Sequence, residues 1–154
     1  MNESRKKELK KIALNVRKGV IEGTFNAKSG HPGGSLSISD LLTYLYFAKL
    51  NVDPKNPDFE DRDRFVLSKG HTAPALYSVL AQRGFFPEEE LKSLRHIDAL
   101  LQGHPCIHIP GVDMSSGSLG QGISAACGMA LSGKLSSKDY KVYTVLGDGE
   151  IEEG

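Results

Sequence analysis

The sequence predicts an α/β fold, a parallel sheet flanked by helices, and two observations carry that expectation. Short apolar runs rich in β-formers, at 65–67 and 142–146, are separated by segments with helical periodicity. Each run opens directly into a polar, glycine-bearing loop, SKGH at 68–71 and GDGE at 147–150. Parallel α/β proteins gather their ligands in such loops, beyond the carboxyl ends of the strands. The 154 residues read as a single domain with a moderate core.

The elements follow in order. Leu9, Ile12, Ala13, Val16 and Val20 fall on one face of a helix over 4–21, with lysines and arginines opposite, and Gly23 is expected to end it. SGHPGG at 29–34 is expected to be non-helical, because Pro32 and three glycines break the pattern. Ser37, with Asp40 three residues on, predicts the cap of a helix over 38–50. NVDPKNPDFEDRDR is polar, with two prolines, and reads as a surface loop. Phe65-Val66-Leu67 is a short buried strand, with His71 just past its end. APALYSVLAQR is a helix capped by Gly84, and Pro87 starts a further helix through EEELKSLRH. A long irregular segment holding His104 leads to a helix over 120–135. There Gly122, Ala125, Ala126, Gly128 and Ala130 permit close approach to a neighbour. KVYTVLGDGE is a last strand opening into a turn.

Composition narrows the function classes. Lysine plus arginine and aspartate plus glutamate each number 19, so the net charge is zero and a dedicated nucleic-acid surface is not expected. Cys106 and Cys127 stand in unrelated contexts and form no disulfide framework, which fits a reducing compartment. MNESRKKELKK has no apolar stretch behind it to make a signal peptide, and no window approaches the roughly 18 apolar residues of a membrane helix. A cytoplasmic protein with no membrane partner is expected.

Four loops carry the chemistry: SGHPGG with His31, SKGH with His71, QGHP with His104, and GDGE with Asp148. Glycines on both sides of Asp148 let backbone N–H groups approach an anion. A carboxylate there would repel phosphate unless a hard cation such as Mg2+ lay between them, taking phosphate and water oxygens in its octahedron. Asp-Gly is also a common surface turn. Histidines can move protons at neutral pH, yet each alone is as well explained as a structural imidazole. His104, Cys106 and His108 alternate and could share a strand face as zinc ligands, but Pro105 and Pro110 argue against a regular strand and no fourth ligand is evident.

Taken jointly and in this order, SGHPGG, SKGH, QGHP, GSLGQG and LGDGE-x-x-EG resemble the N-terminal region of the transketolase family. The form SGHPGGSLSISDLL with a short leader looks most like the small subunit of split, two-gene transketolases; deoxyxylulose-phosphate synthases share only the GHxGGSL-like loop and the GDG turn. The resemblance implies the diphosphate-binding α/β domain of a thiamine-diphosphate enzyme of the pentose phosphate pathway, moving a two-carbon unit between sugar phosphates. It implies that Asp148 ligates Mg2+ and that Gly147, Gly149 and His71 lie by the diphosphate. Gly117 and Leu119 would pack near the cofactor's ring junction. His31 and His104 would bond the donor's hydroxyls and assist proton transfer, and Glu153 would join a carboxylate network across a dimer interface. The family's metal site also uses an asparagine and a carbonyl well beyond the GDG turn, and catalysis uses a pyrimidine-binding domain. The expectation is therefore an incomplete N-terminal section that needs, within a homo- or hetero-oligomer, a C-terminal subunit holding the pyrimidine-binding domain. A non-catalytic association module of the same fold would carry the same motifs.

Overall fold

A computed structural model describes residues 1–153 of the chain. It is organised as two compact units, the first formed by Met1–Leu50 with Thr72–Gly103, the second by Asn51–His71 with the segment from His104 onward.

The first unit is helical. α1 spans Glu3–Ala27, and the Asn2 side chain caps it by accepting from the Arg5 N–H at 2.9 Å. The apolar stripe read from the sequence is the buried one: Leu9, Ala13, Val16 and Val20 are in the core. The leucine and valine side chains among them contribute about 1.5–3 kcal/mol each on full burial. They pack on α4, Ala73–Arg83, which ends at Gly84 in the left-handed region (φ 97) as expected. Gly23, however, does not end α1. It lies buried inside the helix, where an added Cβ would stand 3.2 Å from the Leu91 carbonyl oxygen, so its small size serves packing.

SGHPGG also departs from expectation. Pro32 opens a short helix, α2, over Pro32–Ser37, with His31 at the cap position. A proline in the first turn lacks only an N–H that would have no helical partner, so it starts a helix as readily as it breaks one. Ser37 is not a cap; its hydroxyl donates back to the Gly34 carbonyl at 2.8 Å. The next helix, α3, spans Ser39–Tyr44 and continues as a wider π-turn over Leu45–Lys49. Pro87 caps a 3-10 segment over Glu88–Ser93, where an ordinary helix was expected.

The second unit holds the sheet. β1, Arg64–Leu67, pairs in parallel with β2, Val142–Val145, in the register Arg64 to Val142 through Leu67 to Val145. Ser68 N–H donates to the Val145 carbonyl at 3.0 Å and extends the ladder past β1. α5, Gln121–Leu135, packs on both strands. Of its small residues, Gly122 and Ala126 are buried while Gly128 and Ala130 are more open, so close approach uses one face only. Two strands make a marginal sheet by themselves. Here buried carboxylates staple it: Asp63 accepts from the Lys141 N–H (2.7 Å) and the Asn51 N–H (2.9 Å), and Asp113 from the Phe65 N–H (2.6 Å). The loop over 51–63 is thus irregular, as read, but anchored at its end.

Candidate functional site

The motif loops of the second unit converge at the carboxyl ends of β1 and β2. SKGH leaves β1, and the loop over 104–120 is sewn onto it. Ser116 Oγ donates to the Leu67 carbonyl (2.7 Å), and Ser116 N–H donates to the Pro105 carbonyl (3.2 Å). The fit is tight: a Cβ on Gly70 would lie 2.8 Å from the Gly117 nitrogen. On Gly117, a Cβ would lie 3.1 Å from His104 Cδ2, so the imidazole lies against this glycine. His104, Met114, Ser116, Gly117, Gln121 and Gly122 border a concavity of about 420 Å³. Leu119 is half-buried in the stretch of loop leading to α5.

GDGE leaves β2. Asp148 is exposed, at the cap of a 3-10 turn over Gly149–Glu152, and among the described residues no hydrogen bond or ion pair engages its carboxylate. Gly149 is exposed too, with no heavy atom of the described residues within 4 Å of where a Cβ would stand. The Gly147 N–H turns inward and donates to Glu150 Oε2 at 2.9 Å. Glu150, which the sequence offered only as one of several carboxylates behind the turn, is 3% exposed. Its Oε1 accepts from Ser68 Oγ (2.5 Å) and from the Gly120 N–H (3.1 Å). Burial by itself pushes its carboxyl up; the bonds from Ser68, Gly147 and Gly120, with the nearby His71, outweigh that and hold it below the usual carboxylate range. Glu153 lies over Gly120, where a Cβ would come within 3.0 Å of the Glu153 Cβ and where φ is 81, so glycine is doubly required.

His71, His104, Gly117, Leu119, Gly147, Asp148, Gly149 and Glu153 therefore all belong to the second unit. His31 belongs to the first, exposed at the start of α2. Its loop is held there by Arg95, whose guanidinium donates to Ser29 Oγ at 2.9 Å and lies where a Cβ on Gly103 would be. His104, Cys106 and His108 do not form a zinc centre: among the described residues no group of three or more histidine, cysteine or acidic side chains stands together to hold a metal.

The residues at the GDG turn fit a cation-tethered diphosphate. A single unengaged carboxylate is a fair protein contribution to Mg2+, which commonly takes one or two carboxylates and completes its shell with phosphate and water. Beside it, Gly149 leaves clearance that no side chain of the described residues fills.

The chain is thus an α/β protein whose second unit gathers its own motif loops at the carboxyl ends of a parallel strand pair. It belongs to the transketolase family: residues 9–154 match the family model described as "Transketolase, thiamine diphosphate binding domain". A subunit of the apulose-4-phosphate transketolase of Phocaeicola vulgatus is 45% identical over 138 residues, which cover 90% of this chain and 49% of that protein. Mouse transketolase is 48% identical over 150 residues, covering 95% of this chain and 24% of that one. Among solved structures, transketolase from Campylobacter jejuni superposes with a TM-score of 0.90 at 35% identity, over 100% of this chain and 25% of its own. The chain spans about half the length of the first relative and about a quarter of the second. Among the described residues no helix is long and apolar enough to cross a membrane.

Proposed function

We propose that this chain forms the diphosphate-binding side of a transketolase. That enzyme transfers a two-carbon ketol unit from a ketose phosphate to an aldose phosphate, as in the pentose phosphate pathway, with thiamine diphosphate and Mg2+. The observation that carries the reading is the pairing of Asp148 and Gly149. Among the described residues the carboxylate is exposed and unengaged at a strand end, and the glycine beside it answers to no packing or positive-φ demand. A ligand that must approach the backbone supplies the missing reason.

Thiamine diphosphate, when bound, supplies the carbon nucleophile. The chain's residues do the rest. Asp148 would hold the cation, and the Gly149 backbone would meet the diphosphate with His71 beside it. Gly147 contributes through the shape of the turn, since its N–H is committed to Glu150. Gly117 and Leu119 would pack near the ring junction, and His104, lying against Gly117, would face the sugar. His31 and His104 would hold donor hydroxyls and take or return a proton at a hydroxyl oxygen, work suited to imidazole at neutral pH. Glu153 would join carboxylates of a second protomer. The Phocaeicola relative is named as one subunit of its enzyme, which supports a partner carrying the pyrimidine-binding domain here. Unpaired Cys106 and Cys127 fit a cytoplasmic setting.

Calorimetric titration tests this on the chain together with its pyrimidine-domain partner. Thiamine diphosphate binding should require Mg2+ and be lost in Asp148→Ala. Binding that ignores the metal, or that survives the substitution, overturns the reading.

A further inference from the structure

We infer that Glu150 is the positioning residue of the GDG turn: its carboxylate joins three motif loops and thereby fixes where Asp148 and Gly149 stand. The inference rests on the reading of Asp148 and Gly149 as the cation and diphosphate holders.

Glu150 lies two residues from Asp148 in sequence, yet the two carboxylates are put to opposite uses. Asp148 faces out; Glu150 is 3% exposed and faces in. Its donors come from three separate motifs: Ser68 Oγ of SKGH at 2.5 Å, the Gly120 N–H of GSLGQG at 3.1 Å, and the Gly147 N–H of its own turn at 2.9 Å. An isolated 3-10 turn of four residues is a weak element, because its bonds are poorly aligned. A charged acceptor shared by three donors is a strong one. The Gly147 bond closes the turn on itself, and the Ser68 and Gly120 bonds tie it to the ends of β1 and α5. With acceptors so engaged, Glu150 is not a second metal ligand. Losing it removes no group that would touch the cofactor, yet frees the turn that carries two such groups.

Glutamine would keep one carbonyl acceptor; alanine would keep none. Nitrogen-15 NMR of the full chain reads the brace directly. In wild type the Gly120 and Gly147 amides should exchange slowly, and in Glu150→Ala both should exchange at least about tenfold faster while β1 amides stay protected. Glu150→Gln should keep part of the protection. Mn2+ with thiamine diphosphate, added to the labelled chain assembled with its pyrimidine-domain partner, then serves as the probe, read by paramagnetic broadening at Gly149. Glu150→Ala should weaken the midpoint about tenfold, Glu150→Gln should recover most of it, and Asp148→Asn should abolish it. If Glu150→Ala does not fold, Ser68→Ala, which deletes one donor, should show a smaller shift in the same direction. Wild-type broadening in Glu150→Ala, with loss in Asp148→Asn, overturns the brace and leaves the cofactor reading standing. Broadening equal in wild type and Asp148→Asn overturns both.

Discussion

Substituting alanine at two glycines of α5 should move stability in opposite directions. At Gly122 a Cβ would stand 2.6 Å from Ser68 Cβ and 2.7 Å from Ser68 Cα. The second contact is with backbone, which no rotamer change relieves. Overpacking of this kind costs about 1–3 kcal/mol. The methyl also crowds Ser68 Oγ, and disturbing its bond to the Glu150 carboxylate adds roughly 1.5–3 kcal/mol. Alanine's better helix propensity returns about 1 kcal/mol. The net expectation for Gly122→Ala is a loss of about 1.5–5 kcal/mol, which for a chain of this size lowers Tm by about 3–20 °C. Gly128 lies in the same helix, exposed, with no atom of the described residues within 4 Å of its Cβ position. There only the propensity gain remains, so Gly128→Ala should stabilise by up to about 1 kcal/mol. Urea denaturation and thermal melts followed by circular dichroism measure both. Equal shifts, or a Gly122→Ala variant as stable as wild type, would refute the claim that α5 is seated on Ser68 through the missing Cβ.

Gly149→Ala meets no heavy atom of the described residues, so its Tm should stay within about 1 °C of wild type while Mg2+-dependent cofactor binding in the assembled enzyme weakens at least about tenfold; calorimetry separates the two. Arg62, itself partly exposed, pairs with the Asp113 carboxylate at 2.7 Å, and Arg62→Ala, which removes this charged partner, should cost about 1.5–3 kcal/mol in urea denaturation. Asp113→Asn should cost less, because burial already pushes the Asp113 carboxyl up against the pull of the Phe65 N–H and Arg62, so its charge is held at a disadvantage.

The alternation of strand and helix was legible because it rests on local periodicity. RFVL, APALYSVLAQR and VYTV appear as β1, α4 and β2 with little displacement. What local pattern misjudged was the purpose of glycine and proline. Gly23 reads as a stop until the Leu91 carbonyl is seen against it, and PGG reads as a breaker until Pro32 is seen in a first turn. The site motifs were legible in kind and order, since glycine beside histidine or aspartate survives as a local signal. Glu150 was not. Its bond to Gly147 spans three residues and could have been suspected from a glutamate placed that way in a turn. Its bonds to Ser68 and Gly120 are tertiary and leave no trace in spacing.

The two carboxylates that staple β1 and the turn after β2 differ in the sign of their shifts, and the difference assigns acid sensitivity to one end of the sheet. Asp113, raised, binds its proton more tightly in the folded chain; acid therefore does not work against it. Glu150, lowered, contributes stability that is fully present above the ordinary carboxyl value of 4.5 and is lost as pH falls through its folded value below that. The end that loosens in acid is thus the end where Ser68, Gly120 and the GDG turn meet. Unfolding free energies compared between roughly pH 6 and pH 3 should fall more steeply in wild type than in Glu150→Gln, which has no proton to take up at this site. Parallel slopes in the two proteins would mean that the Glu150 bonds are as strong to a protonated carboxyl as to a charged one. The carboxylate would then not be the feature that holds the turn.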